Sequence, residues 1–416
     1  MRTSCLQEQS IRISKFIAER LVDLSYIENI TKSPENHSPS RGAAPWNPIS
    51  LADGIPGIWV LFAEWDRLEP DRGWKQSIHQ HLLSLYRAMP LCIPDISLFS
   101  GVTGVAYGLF MASDDHKNYI KTRSQLNQYI ASQFKAGRTI PGLDSLDVVS
   151  GLCGVARYVL ETYRYDDGMC EIAVPLMTNI IKESVTIIDS AIYGTDRQVQ
   201  NGLAHGLAGI LALLVTADHK QVEVENLQHT IHRIANYLVQ QTREDQYGRF
   251  WPISSNTSGL AQNEKKEARQ IEGWCHGTLG ISLTLWRAGV QCGNEDWKKL
   301  AAEAAGSAFR LGERELGFMT PSFCHGLTGL LHLANHFHRL CDIPEASLFA
   351  EKVASRLMYM FDESSPFGYR DQEDTVCTDN PGLLQGAVGI ALSLLDYGKR
   401  DDPMYLGKWR EVFLMS

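Results

Sequence analysis

The stretch Gly273-Trp274-Cys275-His276-Gly277-Thr278-Leu279-Gly280-Ile281 sets out the plan of the chain. A thiol and an imidazole stand just ahead of a Gly-x-x-Gly, and an apolar run follows. The same order returns in Phe323-Cys324-His325-Gly326-Leu327-Thr328-Gly329-Leu330. Five further copies keep the glycines without the Cys-His pair: 51–62, 98–109, 147–160, 203–214 and 384–395. The first glycines of the seven copies are Gly54, Gly101, Gly151, Gly206, Gly277, Gly326 and Gly386. Their intervals run from 47 to 60 residues, except for 71 between Gly206 and Gly277. A repeat of this length marks an array of like supersecondary units.

Each unit reads as a helix pair. The phrase opens an almost wholly apolar helix, suited to an inner position buried on both sides, and a more amphipathic helix accompanies it. Such outer helices are predicted over Tyr119–Phe134, Val222–Gln241, Asp296–Leu311 and Ala346–Met360. Seven pairs can close into an all-α, double-layered α/α barrel spanning residues 51–416. Residues 1–50 are expected to lead into it as an N-terminal helix, over about Ser10–Asp23, and a Pro/Ser/Asn-rich loop over 31–49. The long interval holds a polar stretch, 242–270, expected to leave the barrel as a small inserted subdomain or a long surface loop; Phe250-Trp251 suit a short strand there. With the inner N-termini ringing one mouth, residues just ahead of each Gly-x-x-Gly would converge: Asp147, His205, Cys275, Cys324 and His325.

Composition narrows the function. Hydrophobic residues make up 44% of the 416, enough for a large core, and charged residues 21%. A net charge of -9 is the reverse of what a nucleic-acid binder shows. The nine cysteines are odd in number and irregular in spacing, which argues for reduced thiols in a cytoplasmic protein. Met1–Ser10 has no apolar core, so no secretory signal is expected, and no apolar run reaches membrane-span length.

Cys275 and Cys324 occupy matched places in adjacent copies, and each precedes a His. Together with His325 they offer three metal ligands, a number that leaves one tetrahedral position open, as at catalytic zinc. Two thiolates and an imidazole suit zinc and can admit a further thiol. A metal-bound thiol is deprotonated, whereas a free one is only a few per cent ionised at neutral pH. A positioned thiolate can add to an alkene conjugated to a carbonyl, and the resulting enolate then needs a proton. His205 holds the slot before Gly206 and is suited to supply it. His276 is a second candidate, or a fourth ligand that closes the site. Asp147 orients an imidazole, receives the thiol proton, or caps a helix. Arg269 either pairs with an acid or lies on the surface. Cys153 and Cys292 read as structural thiols. His332, His336 and His338 fall well inside a helix, away from the mouth.

These motifs resemble the lanthionine synthetase C-like family, in particular its stand-alone cyclases that partner a class I dehydratase. The likeness rests on Trp274-Cys275-His276-Gly277, Cys324-His325-Gly326, Ala204-His205-Gly206, Asp147-Val148-Val149 with Gly151, and the seven-fold glycine phrase. It implies a double α/α barrel with one zinc per chain, ligated by Cys275, Cys324 and His325. The family's acid/base His falls on His205 and its functional Asp on Asp147, while 242–270 corresponds to an inserted small domain. Many bacterial cyclases carry Tyr where this chain has His276, and eukaryotic relatives often carry His. The Arg that bacterial enzymes place four residues before the first Cys is not matched, because Ile271 stands there; Arg269 is the candidate substitute. The implied substrate is a dehydrated precursor peptide with a leader, whose cysteines close thioether rings on dehydroalanine or dehydrobutyrine. The implied partners are a dehydratase and a transporter, in a complex that would hold a cytoplasmic protein at the membrane. Two other readings compete: a zinc-dependent thiol alkyltransferase, and a non-catalytic zinc- or thiol-binding scaffold.

Overall fold

The computed structural model describes residues 2–37, 44–88, 95–113, 117–137, 146–193, 199–255, 269, 272–310, 319–341, 343–373 and 376–415. Helices α1 (Arg2–Arg20) and α2 (Leu24–Thr31) precede the first repeat. The inner layer comprises α3 (Ile55–Leu68), α5 (Val102–Met111), α7 (Leu152–Thr162), α9 (Leu207–His219), α11 (Thr278–Cys292), α13 (Leu327–Leu340) and α15 (Ala387–Gly398). Each begins directly after the first glycine of a Gly-x-x-Gly, so every copy of the phrase opens an inner helix. The alternating outer helices are α4 (Trp74–Ala88), α6 (Ile120–Lys135), α8 (Asp167–Ile192), α10 (Leu227–Gln240), α12 (Glu295–Phe309) and α14 (Pro344–Met360).

Neighbouring inner helices pack on one another in chain order, and α15 packs back on α3, which closes the ring. Each outer helix packs on the inner helix before it. The outer place beside α15 is filled by α1, which also touches α14 and α3. The N-terminal helix is therefore part of the outer layer, and it runs from Arg2 to Arg20 where periodicity suggested Ser10–Asp23. It stops short of Asp23 because that residue caps α2, accepting from the Ser25 amide at 2.9 Å. The predicted start at Val222 moves to Leu227 because Asn226, just ahead of it, is left-handed, with φ 63°. Within the expected 31–49 loop, 38–43 lie outside the described residues.

The glycine phrase has a steric cause. A Cβ on Gly209 would lie 2.1 Å from the Leu203 carbonyl oxygen and 2.6 Å from Val148 Cγ2 of the preceding unit. On Gly154 it would lie 2.2 Å from the Val148 oxygen and 2.8 Å from Leu98 Cβ. The second glycine thus lets each inner helix touch its own incoming turn and its neighbour's turn at once.

Those turns are joined by backbone hydrogen bonds. The Ala52 amide donates to Phe99 O (3.0 Å), Phe99 to Val149 O (3.3 Å), Val148 to Ala204 O (3.0 Å) and Ala204 to Cys275 O (3.1 Å). Cys275 then donates to Cys324 O (3.1 Å), Cys324 to Leu384 O (2.9 Å), and Leu384 to Ala52 O (3.2 Å). The seven turns form a closed hydrogen-bonded belt around one mouth. Each link contributes only about 1 kcal/mol, but the belt fixes every turn against two others.

Strands are short. In the long interval, β2 (Arg243–Asp245) and β3 (Gly248–Phe250) form an antiparallel hairpin that packs on α12. Then β4 (Ser254–Ser255) pairs with β1 (Val199–Gln200), just ahead of the turn that carries His205. Trp251 lies past the end of β3 but is 2% exposed, and its indole donates to Leu238 O at 2.7 Å. The rest of the interval, 256–268 with 270 and 271, lies outside the described residues. A third hairpin joins β5 (Asp371–Glu373) to β6 (Val376–Thr378). The 3-10 helix Lys408–Phe413 brings fully buried Trp409 and Phe413 against Phe323, in the turn ahead of α13. Among the described residues, no helix is long and apolar enough to cross a membrane, and no disulfide joins the cysteines.

Candidate metal centre and active site

The belt places the residue two before each first glycine next to its counterpart in the following unit. In adjacent units those residues are Cys275 and Cys324, and the hydrogen bond from Cys275 N to Cys324 O ties their backbones together. His325 follows Cys324 directly. The ligand atoms of Cys275, Cys324 and His325 all lie within 4.8 Å of one another, a group able to hold a metal ion. The approach is tight: a Cβ on Gly273 would lie 2.9 Å from His325 Cα and 3.1 Å from Cys324 O.

The electrostatics of this group suit a cation. Hydrogen bonding at its sulfur, first from Cys324 and then from His276 and His325, draws the Cys275 thiol down to about 3 against the opposing effect of burial. His325 is raised above its ordinary value, chiefly through its hydrogen bond with Cys275. A thiolate that gathers a thiol and two imidazoles around itself is a donor set that a soft divalent cation can take over.

His276 lies close enough to matter, with Nδ1 2.9 Å from Cys275 Sγ. It is thus beside the ligand group, not turned away from it.

Asp147 and His205 form the next pair along the belt. His205 donates from Nδ1 to Asp147 Oδ2. The other carboxylate oxygen, Oδ1, accepts from the Val149 amide at 2.6 Å and from Ser150 at 2.7 Å. Asp147 therefore ties off its own turn with one oxygen and holds the imidazole with the other. It is not the cap of α7, a place taken by Gly151. The Asp147 side chain is 6% exposed and that of His205 48%, so a buried carboxylate orients an accessible ring. The hydrogen bond to Asp147 is the main reason that His205 is raised above its ordinary value. The turn carrying His205 abuts the one carrying Cys275: a Cβ on Gly202 would lie 2.5 Å from Cys275 O and 3.2 Å from His276 Cα.

Arg269 is not on the surface. Its side chain is 7% exposed; Nε donates to Asp245 Oδ2 at 2.9 Å, and Nη1 to Glu272 Oε1 at 3.2 Å. Its guanidinium also sits 5.0 Å from the Phe250 ring centroid. Glu272 in turn accepts from the Thr278 and Leu279 amides at the start of α11. Arg269 and Glu272 thus bracket the turn that carries Cys275 between hairpin β2–β3 and helix α11. This copy also departs from the others in its backbone: Gly277 has φ 106°, and a Cβ there would lie 2.5 Å from Glu272 Oε2. Ile271, compared above with the family's arginine position, lies outside the described residues.

Sequence reading passed over Glu272, Gly202 and Gly273. Glu272 gave a usable signal, since a carboxylate six residues ahead of an N-terminal Thr can satisfy helix amides. The two glycines gave none, because their need for space arises only when turns distant in sequence meet. Cys153, His332 and His336 are buried in inner helices. His332 lies 3.4 Å from Asp396, and its ring centroid is 4.5 Å from that of Trp409.

A barrel of seven helix pairs, belted at one mouth and carrying a Cys-Cys-His group there, defines the class. A family model for lanthionine synthetase C-like proteins matches residues 45–414, and the chain belongs to that family. Among curated proteins, the nisin biosynthesis protein NisC of Lactococcus lactis subsp. lactis is 25% identical over 401 residues, covering 88% of this chain and 89% of NisC. Among solved structures, nisin cyclase superposes with a TM-score of 0.70 at 20% identity, covering 96% of each chain.

Proposed function

We propose that this protein is a zinc-dependent lanthipeptide cyclase, which closes (methyl)lanthionine rings in a dehydrated precursor peptide. Family membership supports this reading, as does its likeness to a nisin biosynthesis protein. The observation that carries it is the convergence of Cys275, Cys324 and His325 at the belted mouth, with His205 in the adjoining turn held by Asp147 from the turn beyond.

Cys275, Cys324 and His325 would hold zinc. Bound there, zinc would deprotonate a substrate thiol and position it as a nucleophile. The thiolate sulfur adds to the β-carbon of a dehydroalanine or dehydrobutyrine. The thiol S–H bond and the C=C π bond break, one S–C and one C–H bond form, and the proton released from sulfur balances the one the α-carbon takes. Nothing is oxidised or reduced. His205 would supply that proton, a role supported by Asp147, which holds its ring and favours its protonated form. The precursor peptide is the substrate. A dehydratase must act before this enzyme to create the alkenes, and a leader on the peptide, a transporter and assembly at the membrane belong to the same proposal.

Ring closure leaves the peptide mass unchanged, so the test counts alkylatable cysteines by mass after incubation with the enzyme. One thiol should disappear per ring with the wild-type protein, and none with Cys324→Ala. Rings formed at the wild-type rate by a zinc-free variant would refute the proposal.

One observation favours a second reading. With Nδ1 2.9 Å from Cys275 Sγ, His276 could act as a fourth ligand and close the site. A closed four-ligand zinc is structural, and the protein would then be a scaffold. Wild-type ring formation by His276→Ala excludes that role; loss of zinc in this variant, with no turnover by the wild type, supports it.

A further inference from the structure

Both ligand-bearing turns rest on one side chain from the far end of the described chain. Trp274 and Phe323, the residues immediately ahead of Cys275 and Cys324, are both fully buried. Their rings touch each other, with centroids 5.8 Å apart, and Phe413, itself 0% exposed, packs on both, its ring centroid 4.2 Å from Phe323 and 5.0 Å from Trp274. The Trp274 indole also donates to the Phe413 carbonyl oxygen at 3.4 Å. Beneath the mouth, therefore, the two cysteine turns share one aromatic floor, and that floor belongs to neither helix that follows them.

The segment supplying the floor is fixed from several sides. The Trp409 amide donates to Glu64 Oε1 of α3 at 3.0 Å, and Arg410 Nε to Asp396 of α15 at 2.9 Å. Arg287 of α11 donates to Leu414 O at 2.7 Å. Leu414 is left-handed, with φ 59°, although it is not glycine, and it is 2% exposed. A conformation of that kind persists where its surroundings over-determine it, and such positions gather at functional sites. Apolar filling alone does not call for this.

We propose that Phe413 is a positioning residue for the metal centre: packed against Trp274 and Phe323, it sets the separation of the Cys275 and Cys324 thiolates. The inference rests on the zinc-site reading given above. Groups hydrogen-bonded to metal ligands typically change affinity 10–100-fold on substitution, and Phe413, packed on the residue beside each cysteine, is expected to act on that scale. Removing the ring would let both turns relax inward, and the cost would appear in metal binding beyond any loss of stability.

The test compares full-length wild type with Phe413→Ala, Phe413→Leu and a control, Phe349→Ala. Phe349 is 3% exposed and packs on Phe309 in the outer layer, so its truncation should cost comparable stability. Cobalt(II) is titrated against a chelator, and the thiolate-to-metal charge-transfer band is recorded alongside the melting temperature. The proposal expects Phe413→Ala to lose about 10–100-fold in cobalt affinity with a changed band, Phe413→Leu to lose less, and Phe349→Ala to keep wild-type affinity and band at a similar loss of melting temperature. If the alanine variant does not fold, the leucine variant carries the comparison, against Phe349→Leu. Affinity in the Phe413 variants within about twofold of the Phe349 controls would overturn the proposal, against the 10–100-fold expected of a supporting group. Wild type that binds no cobalt would instead overturn the metal-site reading, and this inference with it.

Discussion

The turns before α9, α11 and α13 end in His205, His276 and His325, whereas those before α3, α5, α7 and α15 end in Asp53, Ser100, Ser150 and Gln385. Both sets open apolar inner helices, and the same hydrogen-bonded belt runs through them. What differs is a few side chains in one arc. The repeat supplies a rigid frame, and the proposed chemistry uses part of it, with Asp147 reaching His205 from the turn just outside the arc. Sites held on a stiff frame keep their geometry at little cost in flexibility.

If chemistry is confined to that arc and to Asp147, substitutions there should cost activity, and equivalent ones elsewhere should cost only stability. The largest effect is expected at the ligands. Cys275→Ala and Cys324→Ala should retain no metal and form no rings, measured by metal analysis and thiol counting on protein that still melts cooperatively. Next, His205→Ala should lower the ring-forming rate about 10²–10⁴-fold, the usual share of a general acid or base, while metal content stays at the wild-type level. A parallel loss of metal would place His205 among the ligands instead.

A smaller effect, with a definite sign, is expected from Asp147→Asn. His205 is raised above its ordinary pKa mainly by its hydrogen bond with Asp147. If protonated His205 delivers the proton, activity falls as pH rises through the raised pKa. The Asn variant should show that fall at lower pH, closer to the ordinary histidine value of about 6.5. A pH–rate profile with an unmoved basic limb would separate His205 from the proton transfer.

The frame itself can be tested at Gly57 in the silent arc, where a Cβ would meet Leu51 O at 2.6 Å. Gly57→Ala should destabilise by about 1–3 kcal/mol in denaturant titration, with metal content of the folded fraction unchanged. Least of all, Ser100→Ala, at an exposed end of a silent turn, should shift stability by less than about 0.5 kcal/mol and leave the rate alone.

Much of this was legible in the sequence because the repeat is carried by a steric requirement. Gly-x-x-Gly recurs because the second glycine touches two turns at once, so the barrel, its inner helices and the place of the mouth follow from spacing. Cys275, Cys324 and His325 could be paired because they stand in register in adjacent copies. Contacts between units without register were not legible. The bracket of Arg269 and Glu272 uses a hairpin residue, Asp245, whose place beside α12 no periodicity encodes. Phe413 carries no motif at all; its neighbours Trp274 and Phe323 are 139 and 90 positions away along the chain. The outer role of α1 was hidden for a related reason, since it completes a pair whose other member, α15, lies at the far end of the numbering.

The most direct measurement is the zinc content of wild type, Cys275→Ala and Cys324→Ala, each purified without chelator. About one zinc per chain in the wild type and none in either variant is the expected result for a three-ligand catalytic site. Zinc absent from the wild type, or retained in both variants, would contradict it.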